Sequence, residues 1–165
     1  MDDYSRPWQS EGISSKIKHV VMEEGIQGIG DFSFVSCTEL IDFQIPTTVT
    51  YMGEGCGSNQ SDYCPKVETF NVAPGSTHYV SVDGVLYSAD MTRLVRVPQN
   101  YPATEFNVPD SIETVDDEAF KECSNLQKVT IPENVKIIDG FLFFDCKNLT
   151  EIYLPASLGS ASQFQ

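Results

Sequence analysis

Five cysteines and two histidines are the side chains of this sequence with the chemistry to hold a metal ion or to act as a nucleophile. Protein zinc sites use cysteines in Cys-x-x-Cys pairs or histidines close to cysteines. The sequence contains no Cys-x-x-Cys, and neither His19 nor His78 is spaced as a ligand beside a cysteine. Four cysteines instead occupy one position of a recurring motif: Cys37, Cys64, Cys123 and Cys146. Because a thiol behaves as a small apolar group, we expect these four to form a buried column.

Cys56 differs from the other four cysteines because it lies outside the recurring position. It stands eight residues before Cys64, in a segment rich in Gly, Ser and Asn. The two cysteines are a candidate disulfide pair if the protein resides in an oxidising compartment. The distance between their Cα atoms decides the matter, because a disulfide tolerates only a narrow range of geometries.

Neighbouring acidic residues are the candidates for acid–base catalysis or for calcium binding. Adjacent side chains on a helix or a strand point in different directions, so pairs such as Glu23–Glu24 do not face each other. The run Asp116–Glu118 lacks the spacing of a calcium loop. Nucleophile motifs of the Gly-x-Ser-x-Gly kind and phosphate-binding loops are also missing from the sequence. We therefore expect a protein that is not an enzyme and that needs no metal or other cofactor, with these carboxylates solvated in turns.

Charge narrows the range of partners. Acidic residues outnumber basic ones by 24 to 10, for a formal net charge of −14. Such a surface repels phosphate backbones and anionic membranes, so we expect no nucleic-acid partner. No apolar run of about 18 residues predicts insertion into a membrane. The first eight residues, Met1–Trp8, lack the basic and apolar regions of a secretion signal. An intracellular protein and a mature segment of an exported one both stay open.

The residues above are set in a motif that recurs every 23 residues over much of the chain. Its first half reads apolar-x-x-apolar-x-apolar-Pro, as in Leu126-Gln-Lys-Val129-Thr-Ile131-Pro132. The alternation predicts a short strand, which the proline ends because it cannot donate to a sheet. The second half spaces its apolar residues three to four apart, which indicates a helical or 3-10 return. Copies of the first half begin at Ile17, Leu40, Val67, Ala103, Leu126 and Leu149.

A fixed period of this length is typical of a solenoid, in which each unit buries its apolar side against its neighbours. One strand and one short helical return form the unit of a leucine-rich repeat. We therefore predict an α/β repeat solenoid, a right-handed coil over residues 17–155, with Phe34, Phe120 and Phe143 in one interior column. Residues 1–16, with Pro7 and Trp8, are expected to cap the first coil. Residues 156–165 are expected to form a flexible tail or a cut point in a longer array.

The period fails in two places. Residues 53–64 carry a Gly-, Ser- and Asn-rich stretch that predicts a longer loop on one face. Between Val67 and Ala103 the step is 36 residues instead of 23. The excess holds two β-rich runs, 80–87 and 93–98, separated by the five residues Ser88–Thr92. A loop of this length suits a hairpin, so we predict a β-hairpin inserted at about residues 79–98.

The whole unit, Leu-x-x-Val-x-Ile-Pro-x-x-Val-x-x-Ile-x-x-x-x-Phe-x-x-Cys, occurs at residues 126–146. With its recurrence over residues 17–155, it resembles the BspA-type (Treponema pallidum-like) leucine-rich repeat proteins of bacteria and some protozoan parasites. Asp83-Gly84-Val85-Leu86-Tyr87 resembles the hairpin variant of that family. The resemblance implies a secreted or surface-attached protein that binds host or matrix proteins or mediates adhesion. It supplies no catalytic residues.

The strand motif leaves two residues per strand pointing away from the core, and stacking aligns them in two columns. The first column is His19, Asp42, Thr69, Glu105, Lys128 and Glu151. The second is Val21, Gln44, Asn71, Asn107, Thr130 and Tyr153. Solenoids bind partners on such faces, so these columns are the candidate protein-binding face. Alternatively, Glu105, Lys128 and Glu151 pair with one another across the strands. A competing candidate site is the inserted hairpin, with Tyr87, Met91, Arg93 and Arg96.

Two functions are compatible with these features. The first is a non-enzymatic protein-interaction module whose partner is a host or extracellular-matrix protein. An extracellular or cell-surface location follows from the family resemblance, and the residues themselves leave a cytoplasmic location open. The second is a structural spacer of a longer repeat protein, with no ligand of its own.

Overall fold

The computed structural model describes residues 12–31, 33–53, 64–138 and 140–158, which form a β-solenoid of about five turns. The strands of this part of the chain are, in order, β1 (His19–Val21), β2 (Gly28–Ile29), β3 (Asp42–Ile45), β4 (Tyr51–Met52), β5 (Thr69–Val72), β6 (Tyr79–Val82), β7 (Val85–Ser88), β8 (Arg93–Arg96), β9 (Glu105–Asn107), β10 (Thr114–Val115), β11 (Lys128–Thr130), β12 (Ile137–Ile138) and β13 (Glu151–Tyr153). Short 3-10 helices lie at Ser14–Lys16 and Ala156–Leu158. Pro7, Trp8 and Cys56 lie outside the described residues, so the predicted cap is described only over residues 12–16 and the candidate disulfide only at Cys64.

The first half of each motif forms a strand, as predicted. β1, β3 and β5 make one parallel sheet, and β9, β11 and β13 make another. Pairing is in register from coil to coil, so that Val20, Phe43 and Phe70 are direct partners. Each of these middle residues is buried while its neighbours face outward, which is the period-two alternation of a strand covered on one side.

The second half of the motif is not helical, which corrects the predicted α/β class to a β-solenoid. Each return instead begins with a two-residue strand, and β2 pairs with β4 and β10 with β12 in parallel. The turns that follow contain left-handed residues, among them Glu118, Glu122 and Asp145 with φ of 58°, 62° and 57°. A positive φ interrupts a right-handed helix. Backbone groups therefore bond to the next coil, as Phe120 N does to Leu142 O at 3.2 Å. The spacing of three to four residues arises from turns.

The insertion is a three-stranded antiparallel meander, one strand more than the predicted hairpin. β6 pairs with β7 across the two-residue turn Asp83–Gly84, and β7 pairs with β8 across the predicted loop. Both turn residues have positive φ, 50° and 81°, which a two-residue turn of matching twist requires. β8 then pairs in parallel with β10, so that Leu94 opposes Val115. The last strand of the meander thus rejoins the return side of the solenoid.

The interior consists of two apolar clusters, one on each side of the meander. β7 belongs to both. Leu86 lies in the cluster formed by the coils before the meander, whereas Val85 and Tyr87 lie in the cluster formed by the coils after it. A strand buried on both faces presents alternate side chains to the two layers it separates. The meander therefore fuses the two halves of the stack.

Aromatic rings and thiols line the centre of both clusters. Phe120 and Phe143 stack with centroids 5.4 Å apart, as predicted, whereas Phe34 packs edge-on against Phe43 at 5.2 Å. Cys37, Cys64 and Cys123 are buried, and Cys146 is half-buried. Cys64 Sγ donates to Phe34 O at 3.0 Å and Cys146 Sγ to Phe120 O at 2.9 Å. The thiols of Cys64, Cys123 and Cys146 thus serve as small interior groups that satisfy carbonyls of the preceding coil.

Candidate protein-binding face

The outward columns exist in the register that the repeat spacing predicts. In the sheet of β1, β3 and β5, His19 opposes Asp42 and Asp42 opposes Thr69. His19 Nδ1 lies 2.6 Å from Asp42 Oδ2, and Gln44 Nε2 donates to Asp42 Oδ1 at 3.1 Å. Asp42 is thus the centre of a polar network on this part of the face.

The second column of the same sheet is Val21, Gln44 and Asn71. Val21 is 71% exposed, although a valine in a strand is usually half-buried. Asn71 accepts a hydrogen bond from Thr69 Oγ1 through its Oδ1 at 3.3 Å. This column therefore presents an apolar side chain and two amides to solvent.

The sheet of β9, β11 and β13 carries the other half of the columns. Glu105, Lys128 and Glu151 are register partners, as are Asn107, Thr130 and Tyr153. Within the described residues Lys128 forms no ion pair with either glutamate. Its Nζ lies 5.2 Å above the ring of Tyr153, whose hydroxyl donates to Glu151 at 3.0 Å. A cation above an aromatic face is attracted to the ring. Glu105, Lys128 and Glu151 therefore do not pair with one another across the strands, and their charged groups remain available to a partner.

The turn Asp83–Gly84 divides the face into two facets. We call the side chains of β1, β3 and β5 the first facet and those of β9, β11 and β13 the second facet. Gly84 O accepts from Phe70 N at 2.9 Å, which places the turn beside β5. A Cβ at Gly84 would lie 2.9 Å from Thr69 Oγ1, so only glycine fits this contact. The twelve residues of the two columns are thus grouped as six and six rather than in one unbroken ribbon.

The four residues of the candidate hairpin site do not form one exposed surface. Tyr87 is 4% exposed and Arg96 is 8% exposed, so both belong to the interior. Burial raises the pKa of Tyr87 to about 12. Met91 is half-buried, and exposed Arg93 lies 3.5 Å from Asp116 Oδ1. Two of the four residues are therefore buried rather than available to a partner.

Arg96 belongs to a buried polar cluster that sequence reasoning missed. Its Nη1 donates to Glu118 O at 2.9 Å, and Lys121 Nζ bonds to Glu118 Oε1 at 2.5 Å. Lys121 also lies 5.6 Å from the centre of the Phe144 ring. Glu118 and Lys121 lie in a return turn, where a charged residue is ordinarily exposed to solvent. The signal in the sequence was the identical position of Glu122 and Asp145 one repeat apart, beside the recurring cysteine.

A groove beside the first facet was also missed. It has a volume of about 400 Å³ and crosses the carboxyl ends of β1, β3 and β5. Its lining is Met22, Glu24, Gln44, Ile45, Pro46, Asn71, Val72, Ala73 and Pro74. The signal for it was the strand-ending position of each motif, which combines an apolar residue and a proline with the outward amide before them.

The described residues offer no arrangement for catalysis by a metal. They contain no group of three or more His, Cys, Asp or Glu side chains placed to hold an ion. Nor does any helix among them have the length and apolar character that crossing a bilayer requires.

A family of known sequences shares the repeat described above. A model of the BspA-type leucine-rich repeat region matches six copies over residues 13–78 and 99–165, which is most of the chain. The chain belongs to this BspA-type family. The matched stretches leave out residues 79–98, which hold the meander of β6, β7 and β8. No curated protein sequence matches the chain.

Solved structures with the same fold include two bacterial proteins. The pneumococcal vaccine antigen PcpA is 22% identical with a TM-score of 0.70, over 87% of this chain and 40% of that one. A leucine-rich cell surface protein of Faecalibacterium prausnitzii A2-165 is 21% identical with a TM-score of 0.65, over 92% of this chain and 44% of that one. This BspA-type chain therefore spans less than half the length of either protein.

Proposed function

We propose that this BspA-type chain is a non-enzymatic module that binds another protein through the outward columns of its two facets. The supporting observation is the set of in-register side chains that remain exposed or half-buried on both parallel sheets. Repeat stacks present extended surfaces of this kind to macromolecules rather than to small substrates. Leucine-rich repeat proteins generally bind other proteins, which favours the same function.

We place the module outside the cell, where its partner is a host or extracellular-matrix protein and its role is adhesion. Two proteins of the same fold support this location, one a vaccine antigen and the other a cell surface protein. The excess of acidic residues, 24 against 10, favours a partner with a basic surface.

Charge reversal on the second facet tests the proposed function. Glu105→Lys combined with Glu151→Lys is expected to weaken binding about tenfold or more, because like charges then face a basic partner. The measurement is biolayer interferometry of the whole chain against a panel of purified matrix proteins. Glu133→Lys combined with Asp110→Lys, two exposed residues outside the columns, is the matched control. Equal binding by both double variants would show that the columns are not the interface.

The second candidate function is a structural spacer. Ile152 and Leu154 are 43% and 46% exposed, whereas Val129 and Ile131, one repeat earlier, are 0% and 3% exposed. A further coil stacked on β13 would bury them, as a spacer within a longer stack requires. Under this function no member of the matrix panel binds, and a consensus coil fused after Leu158 raises the free energy of unfolding. A panel member that binds in a column-dependent way rules it out.

A further inference from the structure

The groove beside the first facet is formed by three successive coils. Met22 comes from the first coil, Ile45 and Pro46 from the second, and Val72 and Pro74 from the third. Met22, Ile45 and Val72 each directly follow the outward side chain of their own strand. Stacking of the repeats therefore forms a groove of about 400 Å³ at the edge of the exposed columns, and these apolar residues form its floor.

Two amides stand above this floor with complementary hydrogen-bonding groups. Gln44 and Asn71 are register partners on neighbouring strands, which lie about 4.8 Å apart. Gln44 uses its Nε2 to donate to Asp42, and Asn71 uses its Oδ1 to accept from Thr69. Among the described residues, Gln44 Oε1 and Asn71 Nδ2 have no hydrogen-bond partner. The groove thus offers one acceptor and one donor, which match the N–H and C=O of a peptide backbone.

A fixed negative charge lies at the edge of the groove. Glu24 accepts hydrogen bonds from Thr47 N at 3.0 Å and from Thr47 Oγ1 at 3.0 and 3.1 Å. These bonds hold the pKa of the Glu24 carboxyl below its usual value, so it is ionised at neutral pH. Among the described residues no Lys or Arg forms an ion pair with it. The carboxylate is exposed to solvent, so a cationic group of a ligand can pair with it.

We propose that this groove binds an extended segment of a partner polypeptide, with an apolar side chain on the floor and a neighbouring Lys or Arg beside Glu24. The segment's backbone pairs with Gln44 and Asn71. This inference rests on the proposed function and assigns the partner's chemistry to the first facet. The second facet carries Asn107, Thr130 and Tyr153 at the corresponding column positions, so it has a single amide there.

The test follows side-chain amide signals of the whole ¹⁵N-labelled chain by NMR during titration with a synthetic peptide. The probe is a short acetylated and amidated peptide in which Leu precedes Arg, and a second peptide carries Glu in place of that Arg. We expect the Arg peptide to shift the amide signals of Gln44 and Asn71 saturably. The Glu peptide should bind at least about tenfold more weakly, because it meets Glu24.

Substitutions then assign the contacts. Gln44→Met and Asn71→Leu should each weaken the Arg peptide about tenfold, the effect of leaving one peptide group unpaired. Glu24→Gln should remove the preference for Arg over Glu. Asn107→Leu, in the same column of the second facet, is the matched control and should leave the affinity unchanged. Because Gln44 and Asn107 are exposed, these two variants compare binding in equally folded chains.

Two results overturn the proposal. The first is the absence of saturable shifts at Gln44 and Asn71 up to millimolar Arg peptide. The second is a loss of affinity with Asn107→Leu that equals the loss with Asn71→Leu, which would mean that binding does not use the groove. Either result leaves the proposed function to the charge-reversal experiment on the second facet. If the double charge reversal also has no effect, both proposals fail.

Discussion

Glu122 illustrates how this repeat places chemically unusual groups in its turns. The residue is 7% exposed, and neither carboxyl oxygen has a hydrogen-bond partner among the described residues. Burial raises the pKa of Glu122 to about 7, with Lys121 opposing the shift and Asp145 adding to it. Its φ of 62° lies in the left-handed region. An ionised carboxylate in this position therefore lowers the free energy of unfolding.

Replacing Glu122 with Gln should stabilise the protein in alkaline but not in acidic solution. Between pH 4.5 and about 7 the unfolded chain loses the Glu122 proton while the folded chain keeps it, so wild-type stability falls as pH rises. Relative to wild type, Glu122→Gln should gain on the order of 2 kcal/mol in going from pH 4 to pH 8. Urea denaturation at both pH values measures this difference. Exposed Glu133→Gln is the control, and a gain that is the same at both pH values would contradict the titration.

At the scale of elements, coils this small are held by contacts between neighbours rather than within themselves. All thirteen strands of the described residues are two to four residues long, too short to be stable alone. Val129, for example, has register partners in the coils on both sides, Phe106 and Ile152. The meander differs from the coils in that its two-residue turn Asp83–Gly84 packs directly against β5.

Gly84→Ala should therefore destabilise the protein by more than a simple loss of conformational freedom. Gly84 has φ of 81°, and a Cβ would lie 2.9 Å from Thr69 Oγ1 and 3.1 Å from Glu68 O. We expect a loss of about 2–3 kcal/mol, from left-handed strain plus displacement of the turn. Gly75 has φ of 93° with nothing within 4 Å of a Cβ, so Gly75→Ala isolates the strain at about 1 kcal/mol. Equal losses in thermal denaturation would show that the contact with β5 contributes nothing.

At the scale of the whole molecule, the charge of −14 opposes folding into a compact stack. Two of the ion pairs among the described residues, Lys66–Glu39 and Lys136–Glu113, join side chains that are both at least 41% exposed. Exposed pairs of this kind contribute little. Repulsion among the remaining carboxylates is therefore the larger electrostatic effect.

Salt should accordingly stabilise the protein. Raising NaCl from about 0.01 M to 0.5 M shortens the screening length from about 30 Å to a few ångströms, which weakens the long-range repulsion more than the contacting pairs. We expect the midpoint of thermal unfolding to rise by several degrees, measured by circular dichroism. KCl at the same concentrations should have the same effect, because screening does not depend on the identity of the cation. A fall in the midpoint with either salt would mean that the ion pairs dominate.

The repeat could be predicted from the sequence because its determinants are local. The alternation around Val129 and the proline that follows define a strand and its end without knowledge of the rest of the chain. The 23-residue step then places Glu105, Lys128 and Glu151 in one column, and the structure has them in register. The groove was missed because the alternation assigns Met22, Ile45 and Val72 to the inward side of their strands, and only the structure shows that they also line a groove where the strands end.

The sequence by itself determined the first strand of each repeat, the register of these strands and the outward columns, since a fixed period leaves one way for successive coils to stack. The tertiary structure decided the rest. Spacings of three and four residues occur in helices and in successive turns alike, so the turn conformation became visible only from residues with positive φ such as Glu118. Tyr87 and Arg96 read as surface residues of a hairpin, yet β7 and β8 are enclosed between two apolar clusters. The burial of a strand depends on the residues from elsewhere in the chain that pack against it, and these cannot be predicted from a short β-rich run alone.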